Sequence, residues 1–288
     1  MLRIKQLPTF DSVAAGKKAV VSLPLGLRYH TVWLELGNNA VAANTITDLV
    51  DDIVVKINGK PQRIATGDQT NQLNGVNGTQ FLLSATGVDG QVTRRLHLPI
   101  YFAEPWRKSV DEVAALALRA NGIESLQIEV GMKAGLAAPL LSGWYEFDYD
   151  NRPIGIISKW NRRDFSAVGS SVDISTIDKR DFIEAVHLFP TSDGKFVSDV
   201  KLTANGEEIR DRITTVQNAA TLLGREMNPD TSATPRYDLV FDYDDPVNGA
   251  LPTQANGAPI KELTLKLTWN AAAAGTQTAI IKRTGPPE

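Results

Sequence analysis

The chain has 288 residues, 42% hydrophobic and 22% charged, with a formal net charge of −3 and no cysteine. That length allows two ordinary domain cores, and the composition is that of a soluble globular protein. The missing thiols exclude disulfides, iron–sulfur clusters and cysteine nucleophiles, and fit a reducing cytosol. The mildly negative charge argues against nonspecific nucleic-acid binding as the main task. No apolar run approaches the roughly 20 residues that span a bilayer. Met1-Leu2-Arg3-Ile4-Lys5 lacks the apolar region of a signal peptide, so none is expected.

Residues 1–12 read as an extended lead-in. Ala19–Leu23 and Tyr29–Leu36 read as strands joined by the turn Pro24-Leu25-Gly26. Ile53–Ile57 is a further strand, and Asn58-Gly59 marks a hairpin because both residues tolerate positive φ. Thr66–Thr79, rich in Gly, Asn, Gln and Thr, reads as an exposed loop. Phe81–Leu83 and Gln91–Phe102 supply more strand. Ser109-Val110-Asp111-Glu112 has capping-box spacing and opens a helix stopped by Asn121-Gly122. Leu126–Val130 alternates as a half-buried strand. The small, proline-containing stretch Lys133–Pro153 is the expected junction, which divides the chain into 1–154 and 155–288.

The second half repeats the plan of the first. Placing Gly16 on Gly169, an offset of 153, puts Tyr29 on Phe182, Val32 on Ala185 and Leu36 on Phe189 without a gap. Ile53–Ile57 with Asn58-Gly59 echoes Val197–Thr203 with Asn205-Gly206. Leu96–Phe102 echoes Tyr237–Tyr243, and Ile123–Val130 matches Ile260–Leu267 at an offset of 137. Four echoes in one order indicate two copies of one domain. Gly206–Gly224 reads as the second copy's helix, Leu263–Trp269 and Thr278–Lys282 as strands, and Gly285–Glu288 as a free tail. Strand-dominated halves with a helix in each argue for a mainly β chain of two antiparallel sandwiches. Eight-stranded Greek-key sandwiches are jelly rolls. Periodicity alone does not separate that fold from other sandwiches.

Catalytic signatures are missing. His30, His97 and His187 form no HxH or HExxH pattern and read as packed or edge histidines. No GxSxG, Walker or GxGxxG motif occurs, so no enzyme activity is expected. Trp33, Trp106, Trp144, Trp160 and Trp269 are dispersed, and read as core and interface anchors rather than a carbohydrate platform. Arg107-Lys108 and Arg162-Arg163 read as solvated or intersubunit charges. Asp238, Asp242 and Asp244 share one strand face with Asp245 adjacent, and Glu146, Asp148 and Asp150 do the same near the junction. Such carboxylates repel unless a cation or an arginine intervenes. Ca²⁺ favours oxygen ligands, and a solvated face or arginine salt bridges are the other readings.

Leu7-Pro8, Val13-Ala14-Ala15-Gly16, Leu23-Pro24-Leu25-Gly26 and Tyr29 resemble the N-terminal part of corticovirus major capsid proteins. The layout is similar through most of the chain. It includes Ala134–Ala138, the basic Trp160–Phe165, and the strand, Asn-Gly turn and helix of Val200–Gly224. The resemblance implies a double jelly roll of the adenovirus–tectivirus lineage, with two tandem eight-stranded jelly rolls and a short helix inserted in each. It implies the major capsid protein of a membrane-containing icosahedral phage, forming pseudo-hexagonal homotrimeric tiles. Expected partners are the chain itself, neighbouring capsomers, minor capsid and membrane-associated virion proteins and an internal lipid membrane, with no specific nucleic acid. The expected location is the virion capsid, assembled in the host cytoplasm. Association of such capsids with calcium adds weight to Asp238, Asp242, Asp244 and Asp245 as ligands. The rival reading is a tandem β-sandwich module that binds carbohydrate or a receptor, as a lectin-like or vertex protein would.

Overall fold

A computed structural model describes residues 1–39, 45–79, 82–83, 95–179, 181–242, 250–251, 254–255 and 258–288. The start of the expected Gln91–Phe102 strand, Phe81, Tyr243, Asp244 and Asp245 lie outside the described residues. The chain forms two compact units, Met1–Ser158 with Pro286–Glu288, and Lys159–Gly285.

The first unit contains β1 (Arg3–Gln6), β2 (Lys18–Ser22), β3 (Arg28–Asn38), α1 (Ile46–Leu49), β4 (Val50–Ile57), β5 (Lys60–Thr66), α2 (Gly67–Val76), β6 (Leu82–Leu83), β7 (Leu96–Tyr101), α3 (Val110–Ala115), β8 (Leu118–Arg119), β9 (Leu126–Met132) and β10 (Pro139–Asp148). One sheet runs β1-β10-β3-β7-β6 with β8 against β3, and the other contains β5-β4-β9-β2. Neighbouring strands in both pair antiparallel. β9 buries every second residue, and β3 sends Tyr29, Val32, Leu34 and Leu36 inward. These meet Val55, Ile57, Ile128 and Val130 in one apolar core. Alternation therefore gives both the strands and the sandwich. The turn before β3 is locked: Gly26 takes φ +82°, and the buried Tyr29 hydroxyl donates to the Pro24 carbonyl.

The second unit contains β11 (Ile157–Ile174), whose first two residues belong to the first unit, then β12 (Phe182–Leu188), β13 (Val197–Ala204), β14 (Glu207–Thr214), α4 (Thr215–Gly224), β15 (Tyr237–Val240), β16 (Gln254–Ala255), β17 (Ala258–Pro259) and β18 (Leu263–Gly285). β18 takes the place of both β9 and β10. Its Leu263–Trp269 end pairs with β13, as β9 pairs with β4. Its Ala279–Thr284 end pairs with β12, as β10 pairs with β3.

The internal repeat extends to single hydrogen bonds. Asn58 and Asn205 both sit at positive φ, +50° and +49°, each followed by a glycine in the same region. The Asn58 side-chain oxygen accepts from the amides of Glu124 and Ser125, at 2.7 and 3.2 Å. The Asn205 oxygen accepts from Lys261 and Glu262, at 2.8 and 3.1 Å. The donor amides differ by the 137 residues that align the two strands in sequence. Each asparagine closes one hairpin and pins the strand that enters from elsewhere.

Four expected segments differ. Thr66–Thr79 is not an exposed loop: α2 occupies Gly67–Val76, opened by a reciprocal capping box between Thr66 and Gln69, with Leu73 and Val76 buried. Tertiary burial overrides its polar composition, and Asn74 donates to the Pro99 carbonyl at 2.9 Å. The helix expected over Gly206–Gly224 begins only at Thr215, where Thr214 and Gln217 form the same box, because Glu207–Thr214 is the return strand of the Asn205-Gly206 hairpin. α3 stops at Ala115, since Leu118 leaves the helix to pair with Tyr29. The tail is tied down as well, with the Glu288 amide donating to Gln62 at 3.1 Å.

Replacing Asn58 by alanine removes two hydrogen bonds and forces a Cβ-bearing residue without a local acceptor into left-handed geometry. The expected loss is about 2 kcal/mol. Asn58→Gly keeps the backbone geometry and should lose less. Chemical denaturation of the three proteins checks the order.

Candidate assembly surfaces

The acidic run near the junction is held by arginines. Arg28 donates from Nε to Asp148 Oδ1 at 2.7 Å and from Nη2 to Oδ2, and its Nη1 reaches Asp150 at 3.2 Å. Arg152 and Arg119 also donate to Asp150, from Nη2 at 2.7 Å and from Nε at 2.8 Å. Hydrogen bonds from Arg28 hold Asp148 below the usual carboxylate range. Those from Arg152 and Arg119 hold Asp150 well below it. His30 lies with Nε2 3.3 Å from Asp148 Oδ2, and burial lowers its affinity for a proton. Glu146 instead accepts from Trp33 Nε1 at 3.2 Å. Of the sequence's alternatives for this run, the arginine salt bridge is the one formed by Asp148 and Asp150.

Asp238 is buried in the second unit with a comparable arrangement. Its Oδ1 accepts from Arg236 Nε at 2.5 Å and lies 2.8 Å from His187 Nδ1, while Oδ2 accepts from Arg236 Nη2 at 2.9 Å. Burial pushes its proton affinity up, but the Arg236 charge and the bonds from His187 and Arg236 outweigh that and lower it. Burial also lowers the pKa of His187, against the pull of Asp238. A guanidinium already neutralises this carboxylate, so Asp238 does not fit a calcium ligand. Asp242 is buried, beyond the end of β15.

The tryptophans are less dispersed than their spacing implies. Trp33 and Trp144 are cross-strand partners and stack at 5.7 Å with 13° between planes. His97 meets Trp144 edge-on at 5.2 Å, and Tyr101 bridges Trp33 and Trp106. All five rings are half-buried. They lie on the face of the first sheet opposite the Tyr29–Leu36 core positions. Trp269 is buried in the second core and donates to Gln277 at 2.9 Å. The strand period could have found the row, because Trp33 and Trp144 each lie between core residues.

Apolar side chains are exposed at Leu2, Ile4 and Tyr149 in the first unit, and at Ile209, Val216 and Leu223 in the second. Leu2 precedes β1 and Ile4 lies in it, while Ile209 lies in β14. Each of these strands ends its sheet. No residue of β1 or β14 is buried.

Residues 4–148 match the family described as viral coat protein P2 N-terminal domain. The chain belongs to the viral coat protein P2 family. Its fold is also that of solved capsid proteins. The major capsid protein P2 of bacteriophage PM2 is 16% identical, with a TM-score of 0.82 over 100% of this chain and 98% of that one. The STIV major capsid protein is 11% identical, with a TM-score of 0.70 over 100% and 97%. The Faustovirus major capsid protein is 8% identical, with a TM-score of 0.60 over 99% and 90%. No curated protein matched by sequence. The fold is a double jelly roll, and the family is structural rather than enzymatic.

Two pH windows follow from these shifted groups. Asp148 and Asp150 titrate below their unfolded value near 3.9, so their contribution is full above about pH 4 and is lost as pH falls through the depressed folded values. Neutral His187, which is buried, and half-buried His30 contribute fully above about pH 6.5, and that contribution shrinks as the unfolded histidines take up protons. Unfolding midpoints measured from pH 7 to 2 should fall in two stages, the first reduced by His187→Gln and the second by Asp150→Asn.

Proposed function

We propose that this coat protein builds the shell of a membrane-containing icosahedral phage as a homotrimer. Two similar sandwiches per chain then give six per tile, a pseudo-hexagonal block that can pack beside its own kind. The observation that carries this reading is the duplication, which matches the asparagine pins of the two units residue for residue. Function in such a protein resides in surfaces. A permanent interface within the trimer buries a large area, and weaker contacts between tiles tolerate several surroundings. The half-buried aromatic row and the exposed sheet ends supply apolar surface for such contacts. Minor capsid proteins and an internal lipid layer complete the partners proposed for the assembled virion, which is put together in the host cytoplasm. A carbohydrate- or receptor-binding module is not favoured, since the family is that of a coat protein.

Light scattering on the purified protein should give about 94 kDa, three chains of 31.3 kDa. A strict monomer at high concentration would contradict the reading. The same measurement with a chelator tests calcium at Asp242, Asp244 and Asp245. A trimer that dissociates supports it, and one that persists removes the ion from the account.

A further inference from the structure

We propose that, within the trimer, β1 of one copy lies along the free edge of β14 in a second copy. The inference rests on the homotrimer proposed above and names the surfaces that meet.

β5 and β14 are counterparts. Each leaves an Asn-Gly turn and ends on the threonine of a capping box. Their burial is opposite. Gln62 and Arg63 of β5 are 4% and 5% exposed, whereas β14 has no buried residue. What accompanies β5 is the pair Ile157 and Ser158, in the first unit: Arg63 Nε donates to the Ser158 carbonyl at 2.9 Å, and Ile157 is 2% exposed.

That pair also has a counterpart. The offset of 153 residues places Gly16 on Gly169, both in left-handed geometry at +67° and +87°. It places Ile4 on Ile157 and Lys5 on Ser158. Ile4 is 67% exposed, and β1 is flanked by β10 on one side only among the described residues. Both halves of a contact made once inside the first unit therefore recur in the chain, each uncovered among the described residues.

An edge strand presents unpaired amides and carbonyls and takes up an added strand readily. Each copy offers one β1 and one β14. The contact is heterologous, so three copies in a ring use every such edge and leave none over. The register follows from the turns. Lys60 and Glu207 each come directly after the turn glycine, so Arg63 corresponds to Arg210. Arg210 of one copy then donates to the Lys5 carbonyl of the next, as Arg63 does to Ser158.

The chain has no cysteine, so introduced thiols report without background. The double variant Lys5→Cys with Arg210→Cys is treated with a short bismaleimide and run on a denaturing gel. The expected result is covalent dimer and trimer, neither seen with either single variant. A native trimer that yields no link between chains, or links only within one chain, overturns the inference and leaves the trimer standing. A native monomer overturns both. Ile4→Asp gives an independent reading. It should raise the trimer's dissociation constant at least tenfold with an unchanged circular dichroism spectrum. Val168→Asp, at a residue 70% exposed outside both strands, should not. An Ile4→Asp trimer as tight as the parent overturns the inference.

Discussion

A strand at the end of a sheet leaves a row of backbone donors and acceptors facing outward, and a protein must cover that row or make use of it. This constraint connects the parts of the present structure. The first unit covers one such strand, β5, with Ile157 and Ser158 from its own chain. The second unit has the same strand, β14, with nothing buried along it. A protein that acts alone would blunt that edge. A protein built to tile can leave it open, because another copy completes it.

The interior is arranged so that the outward surfaces can be specialised. Each sandwich buries an apolar core between two sheets, and each is pinned by an asparagine that caps an incoming strand. Charges that enter the interior arrive with partners. Arg236 accompanies Asp238, and three arginines surround Asp150. Breaking the Arg236–Asp238 pair leaves a buried charge without a partner, so this pair fixes geometry more than it adds stability. The charged clusters also make the fold sensitive to acid through His187, His30, Asp148 and Asp150.

The strands and the duplication were legible because both are written in side-chain period and turn chemistry. Asn58-Gly59 and Asn205-Gly206 are local signals, and the asparagine pins show why the same dipeptide recurs. The helix α2 was not legible by composition, since Gly67–Val76 holds few apolar residues and its burial comes from neighbours distant in sequence. The spacing of Thr66 and Gln69 was the available sign. β14 reads as helix in the sequence because its apolar residues Ile209 and Ile213 lie four apart, a spacing that suits a helix face as well as a strand. Asp238 and Asp242 share parity in sequence, but no pattern along a strand shows that Arg236 turns back onto Asp238. The strand period places Trp33 and Trp144 each on the outward face of its strand, but their stacking was hidden, since they are neighbours only through the register of β3 with β10.

The central claim is that one duplicated chain supplies two equivalent blocks of a six-block tile. Projection images of the purified oligomer by electron microscopy address it most directly. The account predicts particles with a nearly hexagonal outline and threefold symmetry. Particles with twofold symmetry, or isolated two-lobed particles at every concentration, would contradict it.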